Sequence, residues 1–85
     1  MGKDKMVRIT IMGKVYQVNR EEIIEAMKEQ EPNMVQTYYV EINGIKYPIK
    51  QVIRVVLGIP LIAFTSMDAY RLLDKLGFEI GTREE

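Results

Sequence analysis

Basic side chains at helical spacing are the residues with the clearest chemistry in this sequence. Lys50 and Arg54 are four positions apart, and Gln51 follows Lys50. On a helix, positions i and i+4 project together, so the two cations suit adjacent phosphates and the neighbouring amide could reach a base edge. The sequence therefore predicts contact with double-stranded DNA, mainly through backbone phosphates. The residues predicted to make it are Lys46, Lys50, Gln51, Arg54 and Arg71.

The competing interpretation of these cations is an ordinary surface of solvated salt bridges. Twelve Lys and Arg balance twelve Asp and Glu, so the chain has no net field that would attract nucleic acid. Arg71 and Lys75 form a second i, i+4 pair. The two pairs share one surface only if their helices meet at a corner resembling a helix-turn-helix.

Catalysis is not predicted, because the chain contains neither His nor Cys. These absences remove the commonest general base, the commonest transition-metal ligand and the thiol nucleophile. No glycine-rich phosphate loop occurs either. Five glutamates lie on or beside the first predicted helix, and their spacing indicates a solvated helix face and not a metal site. We expect a non-enzymatic protein without cofactor or metal. The glutamates are Glu21, Glu22, Glu25, Glu29 and Glu31.

Two stretches of alternating apolar and polar residues predict β-hairpins that precede the helices. The first covers residues 7–18 and turns at Met12-Gly13, with Ile11 opposite Lys14, although the loop could be one residue longer. The second covers residues 38–47 and turns at Asn43-Gly44, the strongest hairpin signal in the chain.

Capping signals place three helices. Asn19 and Glu22 form a capping-box variant before a helix that extends to Gln30. A second helix begins at Pro48 and ends at Gly58. A third is capped by Thr65 or Ser66 and continues through Leu76, where Gly77 and Phe78 provide a Schellman ending.

The predicted fold is α+β, with two β-hairpin-helix units, a third C-terminal helix and the option of a short final strand from Phe78 and Ile80. Hairpin positions recur 31 residues later and helix positions 29 residues later, which supports two similar units. We expect one domain over residues 1–81 and a mobile tail over residues 82–85. No segment is long and apolar enough to span a bilayer, and the charged N-terminus predicts a cytoplasmic protein.

A second functional hypothesis is a protein-interaction or dimerisation module. The segment from Gly58 to Phe64 is apolar and predicted to be a loop, and a strand edge of a small sheet could also be exposed. An aromatic side chain on the outer sheet face could anchor a partner. The residues predicted for this role are Tyr39, Leu61, Ile62 and Phe64.

About half of the chain resembles a known accessory module. The likeness is carried by residues 39–53, by Phe64-Thr65-Ser66, and by residues 73–80. These segments are similar to a small module found in the N-terminal part of some HNH-type restriction endonucleases acting on modified DNA. The resemblance implies an auxiliary, restriction-associated DNA module in which Lys46 and Lys50 match basic positions. The nuclease would be elsewhere, because an HNH site requires histidines.

Overall fold

A computed structural model of the protein describes residues 6–35 and 37–83. β1 and β2 form a two-stranded antiparallel sheet, and β3 is the central strand of a second sheet between β4 and β5. The predicted α+β fold, with two hairpin-helix units and a third helix, is confirmed. The elements in chain order are β1 (Val7–Ile11), β2 (Lys14–Val18), α1 (Arg20–Ala26), β3 (Tyr38–Ile42), β4 (Ile45–Pro48), α2 (Ile49–Leu57), a 3-10 helix (Leu61–Ala63), α3 (Ser66–Lys75) and β5 (Ile80–Thr82).

Both hairpins have the predicted two-residue turns and registers. Met12 and Gly13 have φ angles of 51° and 79°, and Asn43 and Gly44 have φ angles of 57° and 81°. Two consecutive positive φ angles are those of a type I′ turn, which matches the twist of the paired strands. In β1–β2, Ile11 lies opposite Lys14. The matching pair in β3–β4 is Ile42 and Ile45.

Helix α1 begins as predicted but ends earlier. The Asn19 side chain accepts a hydrogen bond from the Glu22 amide, and the Glu22 carboxylate accepts one from the Asn19 amide. The helix stops at Ala26, not at Gln30. The reason lies in the second unit, where the buried Tyr47 hydroxyl is 3.1 Å from the Met27 carbonyl and 2.9 Å from the Gln30 carbonyl. Its single proton is shared between the two carbonyls, and the Met27 carbonyl also accepts from the Gln30 amide at 3.2 Å, the i to i+3 spacing of a turn and not of an α-helix.

The ends of the other two helices follow their sequence signals closely. Helix α2 starts at Ile49, one residue after Pro48, and ends at Leu57, followed by the C-cap Gly58 with a left-handed φ of 70°. Helix α3 is capped by Thr65 together with Asp68. At its C-terminus the Phe78 amide donates to the Leu73 carbonyl at 3.1 Å, as in a Schellman motif.

The final strand extends beyond the domain boundary predicted at residue 81. Thr82 pairs with Tyr38 in the sheet. The Arg83 amide donates to the Thr37 carbonyl at 2.7 Å, and its guanidinium donates to the Val35 carbonyl at 2.9 Å. The prediction of a mobile tail is therefore corrected for residues 82 and 83, which the sheet edge binds. Residues 84 and 85 lie outside the described residues.

One hydrophobic core joins both units. Strand β3 supplies Val40, helix α2 supplies Val52 and Ile53, and helix α3 supplies Leu72 and Leu73, all of them almost completely buried. No residue of α2 is exposed, whereas α1 and α3 each contain exposed residues, so α2 is the most buried of the three helices. Across residues 6–35 and 37–83, no helix has the length and hydrophobicity needed to cross a membrane.

Candidate functional site

The predicted DNA-contacting residues lie around three different grooves. Lys46 lines a groove with Tyr39 and Arg83. Lys50 lines a second groove beside the start of α2. Arg71 lines a third, between α3 and β1. Arg54 is half-buried on α2 one turn after Lys50. The structure therefore does not gather the predicted set into one groove.

Lys50 covers a buried aromatic ring. Its ammonium lies 5.1 Å from the centroid of Phe64, a distance at which a cation is attracted to the ring face. Phe64 is only 4% exposed, so it belongs to the protein's own core and not to the predicted interaction surface. Among the described residues, neither Lys50 nor Arg54 has a carboxylate within salt-bridge distance. Both charges therefore remain accessible to an anionic partner.

Lys46 and Tyr39 form a layer on the outer face of the three-stranded sheet. The Lys46 ammonium lies 5.0 Å from the centroid of the Tyr39 ring. That ring lies directly over Gly81 of β5, where a Cβ atom would overlap it. Tyr39 is therefore half-buried and has a structural contact, whereas the sequence predicted a free aromatic anchor.

Gln51 is not available to a ligand. It is 2% exposed, and both ends of its amide are bonded within the protein. Its oxygen accepts from the Asn33 amide at 2.7 Å, and its nitrogen donates to the Glu31 carbonyl at 2.8 Å. Gln51 was predicted to reach a base edge, but the structure shows it holding the segment that links the two units. Helical periodicity could not reveal this, because its partners are about twenty residues away in the chain.

The groove between α3 and β1 contains a basic cluster that the sequence predicted only in part. Arg71 and Lys75 from α3 are joined there by Arg8 from β1. Asp68 also lines the groove, but its carboxylate accepts from the Thr65 amide at 3.0 Å as part of the helix cap. Arg8 was missed because its position on the polar face of a strand carries no signal by itself.

An exposed apolar surface lies next to the Lys50 groove. Met34 and Leu61 line this groove, whose volume is about 320 Å³, and Ile62 follows Leu61 on the 3-10 helix. Ile62 is 93% exposed and Met34 is 77% exposed. We call Met34, Leu61 and Ile62 the loop surface. The sequence predicted Leu61 and Ile62 as residues of an interaction surface. It did not predict Met34, because residues 31–35 show no periodic pattern.

No arrangement for metal or acid–base chemistry is seen in the described part of the chain. In that part, no three carboxylate side chains come together as metal ligands. The one ion pair there joins Lys28 and Glu25 at 2.9 Å, and both side chains are largely exposed. Such a surface pair contributes little to stability or chemistry.

Comparison with known proteins identifies the family of this chain. No curated protein and no solved structure shows significant similarity to this chain. A family model described as SCO5918-like matches residues 7–85, which include every element described above. The chain therefore belongs to the SCO5918-like family of small domains.

Proposed function

We propose that this protein is a non-enzymatic protein-interaction module that binds its partner through the loop surface. The observation that carries the proposal is the exposure of Ile62 on a short helix held close to the core. A single exposed apolar residue is ordinary, but Ile62 directly follows Leu61, which lines one groove together with the exposed Met34. Contiguous apolar surface of this kind is typical of protein-binding sites.

The loop surface is also held in place. The Phe64 amide donates to the Leu61 carbonyl at 3.5 Å, and the Ala63 amide donates to the Pro60 carbonyl at 3.0 Å. Phe64 fixes the far end of the segment in the core, and the left-handed Gly58 fixes its start. A surface that is ordered before binding pays less conformational entropy when a partner arrives.

The test is a comparison of binding partners between the wild type and Ile62→Asp. We expect the variant to lose by at least tenfold any partner, or any self-association in light scattering, that the wild type shows. Since Ile62 is almost fully exposed, its stability should stay within about 0.5 kcal/mol of the wild type. Ile45→Asp, at a half-exposed apolar position on β4, is the matched control and should keep the partner. Equal binding by wild type and Ile62→Asp would refute the proposal.

DNA contact is the second candidate function. Its specific support is the cluster of Arg8, Arg71 and Lys75, together with Lys50 and Arg54 on α2, which have no carboxylate partner among the described residues. The resemblance to modules of HNH-type restriction endonucleases supports the same candidate. Four or five phosphate contacts would give modest, sequence-independent affinity that falls steeply with salt.

A salt titration of binding to a fluorescent DNA duplex tests this candidate. The logarithm of affinity should fall linearly with the logarithm of salt concentration, with a slope of about −0.9 for each phosphate contact. Lys50→Glu with Arg54→Glu, or Arg71→Glu with Lys75→Glu, should each reduce the slope and weaken binding. Glu21→Lys on the exposed face of α1 is the control, since it adds charge in a groove that neither group lines. Absence of binding at low salt would end this candidate.

A further inference from the structure

The outer edge of β1 has unpaired backbone groups. In a hairpin with a two-residue turn, the residues flanking the turn form a hydrogen-bonded pair, and such pairs alternate with non-bonded ones along the strands. Ile11 therefore bonds to Lys14, whereas Arg8 and Thr10 fall at non-bonded positions. Their N–H and C=O groups point away from β2. No hydrogen bond to these groups is found within the described residues.

A groove follows this edge. Its walls include four consecutive residues of β1, from Val7 to Thr10. Alternate residues of a strand belong to opposite faces, so a groove touching consecutive residues must run along the edge. The other wall is α3, through Arg71, Leu72 and Lys75. Its volume of about 210 Å³ is below the usual range for small-molecule pockets, but a groove beside a free edge suits an extended chain.

The charges around the groove indicate which kind of polypeptide segment could bind there. Arg8, Arg71 and Lys75 are exposed cations, and they outnumber the single carboxylate that lines the groove, that of Asp68, which also caps α3. A strand carrying acidic side chains would complement this surface. A second copy of β1 would instead bring its own Arg8 against these cations, which is unfavourable.

The backbone groups of this edge are complementary to a polypeptide and not to DNA, whose phosphates would contact only the cationic side chains. Arg8 and Thr10 present carbonyl acceptors as well as amide donors along one line. A phosphate backbone has acceptors only, so it would be repelled by the carbonyl groups. A polypeptide strand offers donors and acceptors in the alternation that the edge requires.

We infer that β1 is a strand-addition site, at which an extended, acidic segment of another protein pairs with the edge at Arg8 and Thr10. Its carboxylates would bind Arg71 and Lys75. No residue of this groove lines the groove of the loop surface, so the inference does not depend on the proposed function.

The experiment selects ligands from a displayed library of random octapeptides and maps the selected peptides by NMR. We expect acidic residues to be enriched at alternate positions, and the bound peptide to slow hydrogen exchange of the Arg8 and Thr10 amides at least tenfold. Arg71→Glu with Lys75→Glu should weaken binding at least tenfold, whereas Lys50→Glu in the other groove should leave it unchanged. Both substitutions replace exposed or half-exposed side chains, so folding should be preserved.

Several results would overturn the inference. Arg8 and Thr10 amides that are already protected in the free protein would mean that the edge is covered. Selected peptides that are apolar and perturb only Leu61 and Met34 would leave the proposed function standing and remove the strand-addition site. Protection of the two amides by a DNA duplex, with no enrichment of acidic peptides, would assign the groove to nucleic acid.

Discussion

The two hairpin-helix units have the same plan but different surroundings. Unit 1 comprises β1, β2 and α1, and unit 2 comprises β3, β4 and α2. Both hairpins use a type I′ turn and the same register. Unit 2 gains β5 beside β3, so its central strand is paired with a neighbour on both edges. Unit 1 gains no third strand among the described residues, so β1 keeps a free edge.

At the starts of α1 and α2, residues at equivalent positions of the two units have different structural roles. In unit 1, Asn19 and Glu22 cap α1 from the surface. At the corresponding positions of unit 2, Pro48 cannot cap with a side chain, and Gln51 is turned inward to bind the linker. Unit 2 is therefore the structural centre, and unit 1 and α3 are arranged against it. The comparison therefore places the two proposed binding surfaces on the less covered unit and beside the loop after α2.

The largest difference in stability is expected when two tyrosines at equivalent positions of the two units, Tyr16 and Tyr47, are each replaced by Ala. Tyr47 is completely buried, whereas Tyr16 is half-buried. Tyr47→Ala should lower the free energy of unfolding by about 3 to 5 kcal/mol, because it leaves a large cavity and removes the hydroxyl that ends α1. Tyr16→Ala should lower the free energy of unfolding by less than about half of that amount. Urea unfolding measures both, and equal losses would contradict the ranking of the two units.

Gln51 and Glu22 provide the second comparison. Gln51→Leu should cost about 2 kcal/mol, because two hydrogen bonds are lost and the polar groups of the linker must find water. Glu22→Ala should cost about 1 kcal/mol, the usual value for one half of a helix cap. Hydrogen exchange of the Asn33 amide should accelerate in Gln51→Leu alone. Unchanged exchange at that amide would show that the linker does not depend on Gln51.

The third strand of unit 2 can be tested through Gly81. Gly81→Ala should cost about 1 to 2 kcal/mol, since the new Cβ would overlap the Tyr39 ring and push it from the sheet. The loss should be much smaller in a Tyr39→Ala background. A double-mutant cycle measures this coupling, and additive effects would mean that the two residues do not share one site.

The smallest expected effect comes from exchanging the turn residues. Met12 holds a left-handed φ of 51° that Asn adopts more readily. Met12→Asn should therefore stabilise the protein by about 0.5 to 1 kcal/mol, and Asn43→Met should destabilise it by a similar amount. Thermal unfolding resolves such shifts. A destabilised Met12→Asn would show that the exposed methionine contributes a contact the turn needs.

Local signals explain which parts of the structure could be predicted. Turn residues and caps act over three or four positions, so both hairpin registers, the left-handed Gly58 and the Schellman ending at Gly77 followed from the sequence. The early end of α1 did not, because it depends on a hydroxyl twenty residues away. The same limit applies to binding residues. Exposure at Leu61 and Ile62 was predictable, but the burial of Gln51 and Phe64 depended on tertiary packing.

The hydrogen bonds of Tyr47 and Gln51 to residues 27–33 also affect how the protein unfolds. Side chains of unit 2 bind the segment between α1 and β3, so separating unit 1 requires breaking buried hydrogen bonds of unit 2. Despite the internal repetition, the halves are not independent folding modules. Heating should therefore melt the molecule in a single cooperative step.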